Sequence, residues 1–475
     1  MPNAMKKYFK LTLLAAAALV LTGCASVNID QAIGETNSTA GEFTAGKLVL
    51  SRTQQQQQAR ETLAQELLAK PLSSEDAVQL ALANSPAVQA LLAQSWADMT
   101  TANQSGRIAN PMFTFERMTF KDELEIGRLL SFGLLDVLTL PKRHSMAKSQ
   151  VAQAQVQLTA NVVDQVTQVR QAWVRAVGAA QVLQYAQKIQ MSAQASAELA
   201  RRMQLVGNFN KLQRARQQVF YADSTAQLAA AAHARTATRE ELIRQLGLTD
   251  AQAEVLQLPD RLPDLPGQFR PGASVSEAAA QQRLDVQLAR GQLDMLGKSK
   301  GLNLLTSLVD VEVGIRHDTV FDNADGSKAN KTGYELGIRL PLFDWGNAKR
   351  DALDAQTLAA ANRYESTVRN AASQLRESYS AYRTAYDVAR HYRDEIVPLR
   401  IAMAEENTLR YNGMLIGVFE LLADTRDQIN SVVTAINTYQ QFWLADAALS
   451  ASVTGKPTST LMMAPAAGGG ESAGH

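Results

Sequence analysis

Histidine, cysteine and closely spaced acidic residues could bind metals or catalyse reactions, and this chain uses them sparingly. The segment 322–326 is rich in Asp and Asn but lacks the spacing and terminal glutamate of a calcium loop. No glycine-rich phosphate loop precedes a helical pattern. The five histidines are scattered, with no two at the spacing of metal ligands: His144, His233, His317, His391 and His475. The sequence therefore predicts no enzyme, no metal site and no cofactor.

The only cysteine, Cys24, follows a segment typical of exported proteins. Three lysines, at positions 6, 7 and 10, precede the apolar stretch 11–20, which is too short to span a bilayer as a helix. Residues 21–24, Leu-Thr-Gly-Cys, resemble the lipobox of bacterial lipoproteins, in which the cysteine becomes a lipid-carrying N-terminus. This resemblance implies lipidation of Cys24, and Ala25 in place of Asp favours the outer membrane. An ordinary secretory signal is the alternative, and either Met1 or Met5 could be the start.

Composition narrows the classes of partner. The 475 residues carry a formal net charge of +1, and aromatic residues make up 6% of them. Neither a basic nor an acidic surface field is indicated, so no nucleic-acid partner is expected. A single cysteine excludes disulfide bonds within the chain.

Two heptad ladders of apolar and aromatic residues indicate an internal duplication. The first ladder holds Val162, Val166, Val169, Trp173, Ala176, Ala180 and Leu183. The second follows 206 positions later (368 minus 162) and holds Val368, Ala372, Leu375, Tyr379, Tyr382, Tyr386 and Ala389. Such spacing predicts left-handed coiled-coil packing of long helices. A duplicated pair of strands followed by a long helical hairpin suggests a tube, and a tube suggests transport.

Alternating residues predict a pair of strands before each hairpin. In the second copy the apolar positions are Val309, Val311, Val313 and Ile315, then Tyr334, Leu336, Ile338 and Leu340, joined by a polar loop over 318–331. In the first copy they are Phe113 and Phe115, then Ile126, Leu130, Phe132 and Leu134. One face suits lipid and the other suits water, at the length of about 9 to 11 residues that crosses an outer membrane. An amphipathic sheet over a soluble core is the alternative.

The predicted helices are too long for a globule. A helix over about 145–205 would measure roughly 90 Å at 1.5 Å per residue, and its return over 211–246 is little more than half as long. The second copy repeats this with an uninterrupted helix over about 347–412 and a return over 418–453. Shorter helices over about 86–108 and 276–300 would cover the remaining length. Ser73 with Asp76, and Ser274 with Glu277, predict capped starts for short helices.

These patterns divide the chain into six segments. They are a signal peptide (1–23), a polar N-terminal lipidated arm with the Gln54–Gln58 run (24–71), a first repeat (72–255), a proline-rich linker (256–273), a second repeat (274–453) and a disordered tail (454–475). The strand pairs are placed at about 111–137 and 307–341, and the hairpins at about 145–246 and 347–453. Four strands cannot close a membrane barrel, and open edges are costly in hydrocarbon, so the chain is expected to form an oligomer.

Several motifs, in this order within the duplicated frame, resemble the TolC-like outer-membrane efflux proteins in their lipoprotein branch. They are Ala81–Pro86, Arg283–Val286, Leu340–Gly346, and Arg410-Tyr411 with Leu421-Leu422. The resemblance implies a mostly α fold with a small β part: a trimeric, 12-stranded outer-membrane β-barrel continued by a periplasmic α-helical barrel. It also implies a homotrimer in outer-membrane lipid, a periplasmic adaptor protein and an inner-membrane pump of RND or ABC type.

The hairpin turns are the expected docking tip. They carry Val206, Gly207 and Asn208 in the first copy and Ile416, Gly417 and Val418 in the second. Gly207 and Gly417 align, as do Phe209 and Phe419, and glycine permits the positive φ of a tight reversal. Met414, Leu415, Ile416 and Val418 would be exposed, and exposed apolar patches usually contact a partner. By resemblance that partner is the adaptor, although Gly413 lies one residue before the family's usual glycine.

Charged residues beside the turns are candidates for a periplasmic gate. The first return helix carries Lys211 and Arg214, and the second carries Glu420, Asp424 and Asp427. The resemblance implies closure by acidic rings and salt bridges; Glu420 occupies one family acidic position, whereas Ala423 occupies the other. Three copies of Glu420 around an axis would form a cation-attracting constriction. Solvated helix faces with weak surface pairs are the alternative.

The sequence thus predicts a passive, lipid-anchored outer-membrane duct of a tripartite efflux system. Two alternatives remain open. The duct could serve type I protein secretion, or the chain could be a structural lipoprotein that tethers membranes without conducting. The transported substrate cannot be predicted, because a wide duct leaves selection to the pump.

Overall fold

The computed structural model describes residues 27–44, 46–306, 310–322, 324–339, 343 and 345–457. Helices hold 73% of the chain and strands 10%, which confirms the predicted mostly α class with a small β part. Cys24, the signal segment, Val309, Leu340 and most of the tail lie outside the described residues. Within them, no helix is long and apolar enough to cross a membrane.

The elements follow the duplicated order. The helices of the first half are α1 (Ile29–Thr39), α2 (Gly41–Thr44), α3 (Gln54–Leu68), α4 (Ser74–Asn84), α5 (Pro86–Ser105), α6 (Leu134–Leu138), α7 (Leu140–Leu205), α8 (Lys211–Leu246) and α9 (Asp250–Val255). Those of the second half are α10 (Gly272–Gln282), α11 (Leu284–Thr306), α12 (Asn347–His391), a π-helical turn (Tyr392–Ile396), α13 (Val397–Asn412) and α14 (Val418–Val453). The strands are β1 (Met112–Phe120), β2 (Glu123–Gly133), β3 (Asp310–Asp322) and β4 (Lys328–Arg339).

The described residues form two compact units. Among the described residues, one unit lies within 27–32, 93–156 and 288–365 and contains the strands; the other lies within 33–92, 157–287 and 366–457. The strands form one antiparallel sheet in the order β1-β2-β3-β4. Phe113, Leu130, Ile315 and Tyr334 are neighbours across it in one row. Leu134, predicted to lie on a strand, instead begins α6, because Gly133 ends β2 and caps the helix.

The predicted N-terminal arm is more ordered than its polar composition indicated. Its Gln54–Gln58 run begins α3, where Thr53 and Gln56 form a capping box. Leu48, Leu67 and Leu68 are buried, and the Asn37 side chain pairs with both backbone groups of Leu48, at 2.9 and 3.2 Å. A few well-spaced apolar residues therefore suffice to pack this segment, which contradicts its prediction as a surface arm without a core role.

The two predicted helix caps have different outcomes. Ser73 accepts a hydrogen bond from the backbone N–H of Asp76, which confirms it as the cap of α4. Ser274 does not cap α10, because that helix begins two residues earlier, after Pro271. The Ser274 hydroxyl donates instead to the Pro271 carbonyl at 2.8 Å. Proline already has the fixed φ that suits a helix start.

The core of the second repeat joins α12, α14 and the proline-rich linker. Phe442 on α14 is fully buried, and its ring lies 5.5 Å from that of Tyr382 and 5.7 Å from that of Tyr386. Tyr386 donates to the Pro266 carbonyl, and Tyr382 accepts from the Arg270 N–H, each at 3.1 Å. Tyr382 and Tyr386 of the second ladder are thus buried as predicted. Val368, the first residue of that ladder, is 42% exposed.

An ion pair fastens the same linker to α14. Arg270 lies 3.1 Å from Asp446, whose side chain is largely buried. Burial raises the pKa of Asp446, while the charges of Arg270 and Arg170 oppose that rise. Arg170 in turn donates to the Phe43 carbonyl at 2.6 Å. The contacts tie the linker and the N-terminal segment to both repeats within one compact unit.

The long helix of the second repeat was predicted to be uninterrupted. This prediction is wrong, because a π-turn separates α12 from α13. Pro398, just after this turn, cannot donate a backbone hydrogen bond, and in α-geometry its ring would clash with the carbonyl four residues earlier. A π-turn also takes up one residue more than an α-turn. One pair of equivalent residues before the π-turn and one pair after it show where the extra residue lies.

Before the π-turn the repeats are offset by 206 residues. Trp173 donates to the carbonyl of Leu72, just before α4, and Tyr379 donates to that of Arg270, just before α10 (379 minus 173). Beyond the π-turn the offset is 207, because the residues with positive φ at the two helix ends are Gly207 and Met414. The π-turn therefore accommodates a single-residue insertion in the second repeat.

Candidate functional site at the hairpin tips

Both long helices end in the same hydrogen-bond pattern. At the first tip the Asn208 N–H donates to the Met203 carbonyl at 2.9 Å, and the Gly207 N–H to the Gln204 carbonyl at 3.1 Å. At the second tip Leu415 donates to Arg410 at 2.8 Å and Met414 to Tyr411 at 2.9 Å. This is the Schellman motif, in which the residue directly after the helix C-cap adopts a left-handed conformation.

The left-handed positions are Gly207, with φ of 80°, and Met414, with φ of 58°. Gly417, predicted to take the positive φ of the second turn, has φ of −81° and is instead the N-cap of α14. Its structural counterpart is Asn210, whose side chain caps α8 through Gln213. The predicted equivalence of Gly207 and Gly417 is therefore wrong, because the C-cap and the N-cap of the turn are separate positions.

Met414 places a side chain where glycine would relieve strain. A residue with a Cβ in the left-handed conformation costs roughly 1–2 kcal/mol. Glycine avoids this strain, but it also increases the conformational entropy of the unfolded chain, which offsets part of the gain. Met414→Gly is therefore expected to raise the free energy of unfolding by up to about 1 kcal/mol. Denaturant titration would measure this, with Gly207→Ala as the reciprocal variant that should destabilise by a similar amount. A destabilised Met414→Gly protein would contradict the strain argument.

The apolar residues of the tips are exposed to different degrees. Leu205 and Val206 at the first tip, and Met414 and Leu415 at the second, are 71–91% exposed. Ile416, predicted to be exposed, is 9% exposed, and Val418 is half-buried. Between the tips, the rings of Phe209 and Phe419 stack with centroids 4.5 Å apart. The stack links the two tips, and the most exposed apolar side chains of the turns are Leu205, Val206, Met414 and Leu415.

The predicted gate residues do not pair between the hairpins in this single chain. Arg214 donates to Gln204 of its own hairpin at 2.8 Å, and Lys211 and Glu420 are exposed. Asp427 lies 3.4 Å from its neighbour Arg426. In the described part of the chain, no ion pair links Lys211 or Arg214 to the three acidic residues of α14.

Asp424 has an unusual environment. One of its carboxylate oxygens, Oδ2, is buried without a hydrogen-bond partner among the described residues. Nearby in sequence, Arg426 lies over the Phe220 ring at 5.1 Å. Sequence reasoning noted the two phenylalanines without predicting that their rings stack, and it missed Arg426, although the charge of Arg426 is opposite to that of the adjacent Asp427. An unsatisfied buried carboxylate is costly and requires a compensating partner elsewhere.

Comparisons with known proteins show which family and which solved structures this chain resembles. The family model for outer membrane efflux proteins matches residues 275–410. Comparison with curated proteins finds no match. The matched segment covers less than half of the chain, so the chain is similar to outer membrane efflux proteins over residues 275–410.

Solved structures of three outer-membrane proteins share the fold. The CmeC outer membrane channel of Campylobacter jejuni is 14% identical, with a TM-score of 0.67 over 86% of this chain and 89% of that one. VceC of Vibrio cholerae is 15% identical, with a TM-score of 0.63 over 83% and 96%. The open MtrE channel of Neisseria gonorrhoeae is 16% identical, with a TM-score of 0.61 over 84% and 91%.

Proposed function

We propose that three copies of this chain form a passive, lipid-anchored duct through the outer membrane, which works with a periplasmic adaptor and an inner-membrane pump. The observation that carries the proposal is the open four-stranded sheet. Strands β1 and β4 each pair on one side only, and the row from Phe113 to Tyr334 presents an apolar face. Closure with two further copies would pair both edges and give twelve strands.

The tips support the adaptor as the second partner. The four exposed apolar residues, Leu205, Val206, Met414 and Leu415, lie on adjacent turns that the Phe209–Phe419 stack holds together. An exposed apolar patch of this kind is typical of a protein-binding site. The adaptor would dock there, the pump would supply energy and substrate selection, and Cys24 would carry the lipid anchor.

Conductance tests the duct directly. The full-length protein in a planar bilayer should give single-channel steps and should run as a heat-sensitive trimer on a gel. A trimer without conductance would favour the structural lipoprotein. A susceptibility panel of drugs and metals on a deletion strain would identify the exported class, and an unchanged panel with loss of a secreted protein would favour type I secretion.

The same bilayer measurement tests the gate. Replacing Glu420 and Asp424 together by alanine should raise the single-channel conductance, because it removes the carboxylates that would narrow the periplasmic end and bind cations there. The matched control is Glu405→Ala with Glu406→Ala, which removes two exposed acids from α13 of the same hairpin. Unchanged conductance in the first variant would place the constriction elsewhere.

A further inference from the structure

Charged residues are divided unevenly between the two faces of the sheet. Strand alternation and the pairing register place Glu116, Arg316, Asp318 and Glu335 on one face. The opposite face carries the apolar row from Phe113 to Tyr334 and, in the four described strands, no acidic residue. That face nevertheless carries three strong cations: Arg117 on β1, Arg128 on β2 and Lys328 on β4.

The polar face neutralises its central cation within the sheet. Arg316 lies 2.8 Å from Glu116, 2.9 Å from Asp318 and 3.8 Å from Glu335. Gly127 leaves room for this cluster, since a Cβ there would lie 3.2 Å from both the Arg316 guanidinium and the Asp318 carboxylate. Arg316 is therefore paired because carboxylates lie on the same face of the sheet.

The three cations of the apolar face have no such partners. Among the described residues none of them forms an ion pair. Arg128 has one long contact, 3.5 Å to the Thr319 hydroxyl, and the Lys328 ammonium lies 5.4 Å from the centre of the Phe321 ring. The acid of the β3–β4 loop, Asp325, accepts from the Ser327 N–H at 2.8 Å. Three positive charges are thus available to an outside partner.

All three cations lie towards the hairpin turns of the sheet. Counted from the row of Phe113, Leu130 and Tyr334, Arg128 is two residues closer to the turns, Arg117 four and Lys328 six. At roughly 3.3 Å per residue, these steps are about 7, 13 and 20 Å along the strands. An apolar band is about 25 Å tall, so its half-height is about 12 Å. With the row placed at mid-height, Arg128 therefore lies within the band, Arg117 near its upper edge and Lys328 above it.

Depth decides what an unpaired cation costs on a lipid-facing surface. Arginine or lysine is costly at the bilayer midplane of a barrel and costs little near the interface. At the interface the neighbours are lipid headgroups, and a guanidinium binds phosphate through paired hydrogen bonds. Long side chains such as Arg128 can extend from within the apolar band to that level.

We infer that Arg117, Arg128 and Lys328 form a basic belt that binds the phosphate groups of outer-leaflet lipid headgroups. The inference rests on the proposed insertion of the sheet in the outer membrane. The belt would fix the depth of the sheet, because the apolar row below it faces acyl chains while the cations above hold phosphates. It would also make assembly of the channel depend on the phosphate content of the surrounding lipid.

The test uses the full-length protein in detergent micelles that contain either phosphatidic acid or a diacylglycerol with the same acyl chains. Thermal unfolding followed at increasing lipid gives an apparent affinity, because a ligand that binds only the folded state stabilises it. The wild-type protein should be stabilised by phosphatidic acid alone. In the triple variant Arg117→Gln, Arg128→Gln and Lys328→Gln, the apparent affinity should fall on the order of 100-fold, since each basic residue near an anionic surface contributes several-fold.

The matched control is Lys331→Gln, which removes a cation from the opposite face of β4 and should bind like the wild type. Equal binding by the triple variant, equal weakening by Lys331→Gln, or equal stabilisation by inorganic phosphate alone would each overturn the inference. If the triple variant does not fold, Arg117→Gln alone should weaken binding roughly fivefold. Wild-type conductance separates the two proposals: a conducting channel without phosphatidic acid preference refutes the basic belt only, and a non-conducting one refutes the duct.

Discussion

Replacement of Phe442 by alanine is expected to lower the free energy of unfolding by about 3–5 kcal/mol, the cost typical of removing a buried phenylalanine. Phe442 has no exposed surface and contacts the rings of Tyr382, Tyr386 and Trp443. Deleting it removes both the apolar burial and the edge-to-face ring contacts, and it leaves a cavity that the rigid tyrosines cannot fill. Tyr386 donates to the Pro266 carbonyl of the linker and Tyr382 accepts from its Arg270 N–H, so the linker should loosen as well.

Denaturant or thermal unfolding of the full-length protein would measure this loss. Phe120→Ala is the matched control, because the same side chain is 71% exposed on β1 and its removal should change stability little. Phe442→Leu keeps most of the volume and should cost clearly less than the alanine variant. If Phe442→Ala and Phe120→Ala had equal effects, the aromatic cluster would not be the core of the second repeat.

Replacement of Val206 and Leu415 together by aspartate is expected to abolish export in cells while leaving the channel itself intact. Both side chains are more than 70% exposed, one at each tip, so neither change should disturb the packing of the hairpins. Two charges in an apolar docking patch would have to lose water without a counter-ion, which costs several kcal/mol and makes binding at least about 100-fold weaker. Susceptibility should then equal that of the deletion strain.

Conductance and trimer formation of the same variant provide the decisive comparison. Both should match the wild type, because the changes lie on the surface of the turns. Glu405→Gln with Glu406→Gln, which changes two exposed acids of α13 outside the turns, should export normally. Full export by the double aspartate variant would exclude the tips as the adaptor site, whereas loss of the trimer would show that these residues have a structural role instead.

Local periodicity was sufficient to predict the larger features of this fold. The alternation of Val311, Val313 and Ile315 identified β3, and the ladder spacing placed Tyr382 and Tyr386 in a core. Both patterns depend only on which residues share a face of a strand or helix. The buried residues of the N-terminal segment follow no comparable repeat. Leu48, for example, lies outside the helices and is held by a hydrogen bond to Asn37.

The tips were harder to predict because their geometry depends on tertiary contacts. Glycine indicated a reversal, yet the second turn uses Met414 in the left-handed position and leaves Gly417 as a cap. Ile416 is buried, and the rings of Phe209 and Phe419 stack although no short sequence window contains both. The roles of these tips and of the gate residues remain predictions. Their tests are the export and conductance experiments.

The π-turn at Tyr392–Ile396 has a consequence for the rotational phase of the second long helix. One extra residue in a regular α-helix would rotate every later side chain by about 100° around the axis. Because the wide turn absorbs that residue, α13 continues with its faces oriented as in α7, and the two tips close with the same Schellman pattern. The insertion therefore changes the length of the second repeat without changing which side chains it presents at its end.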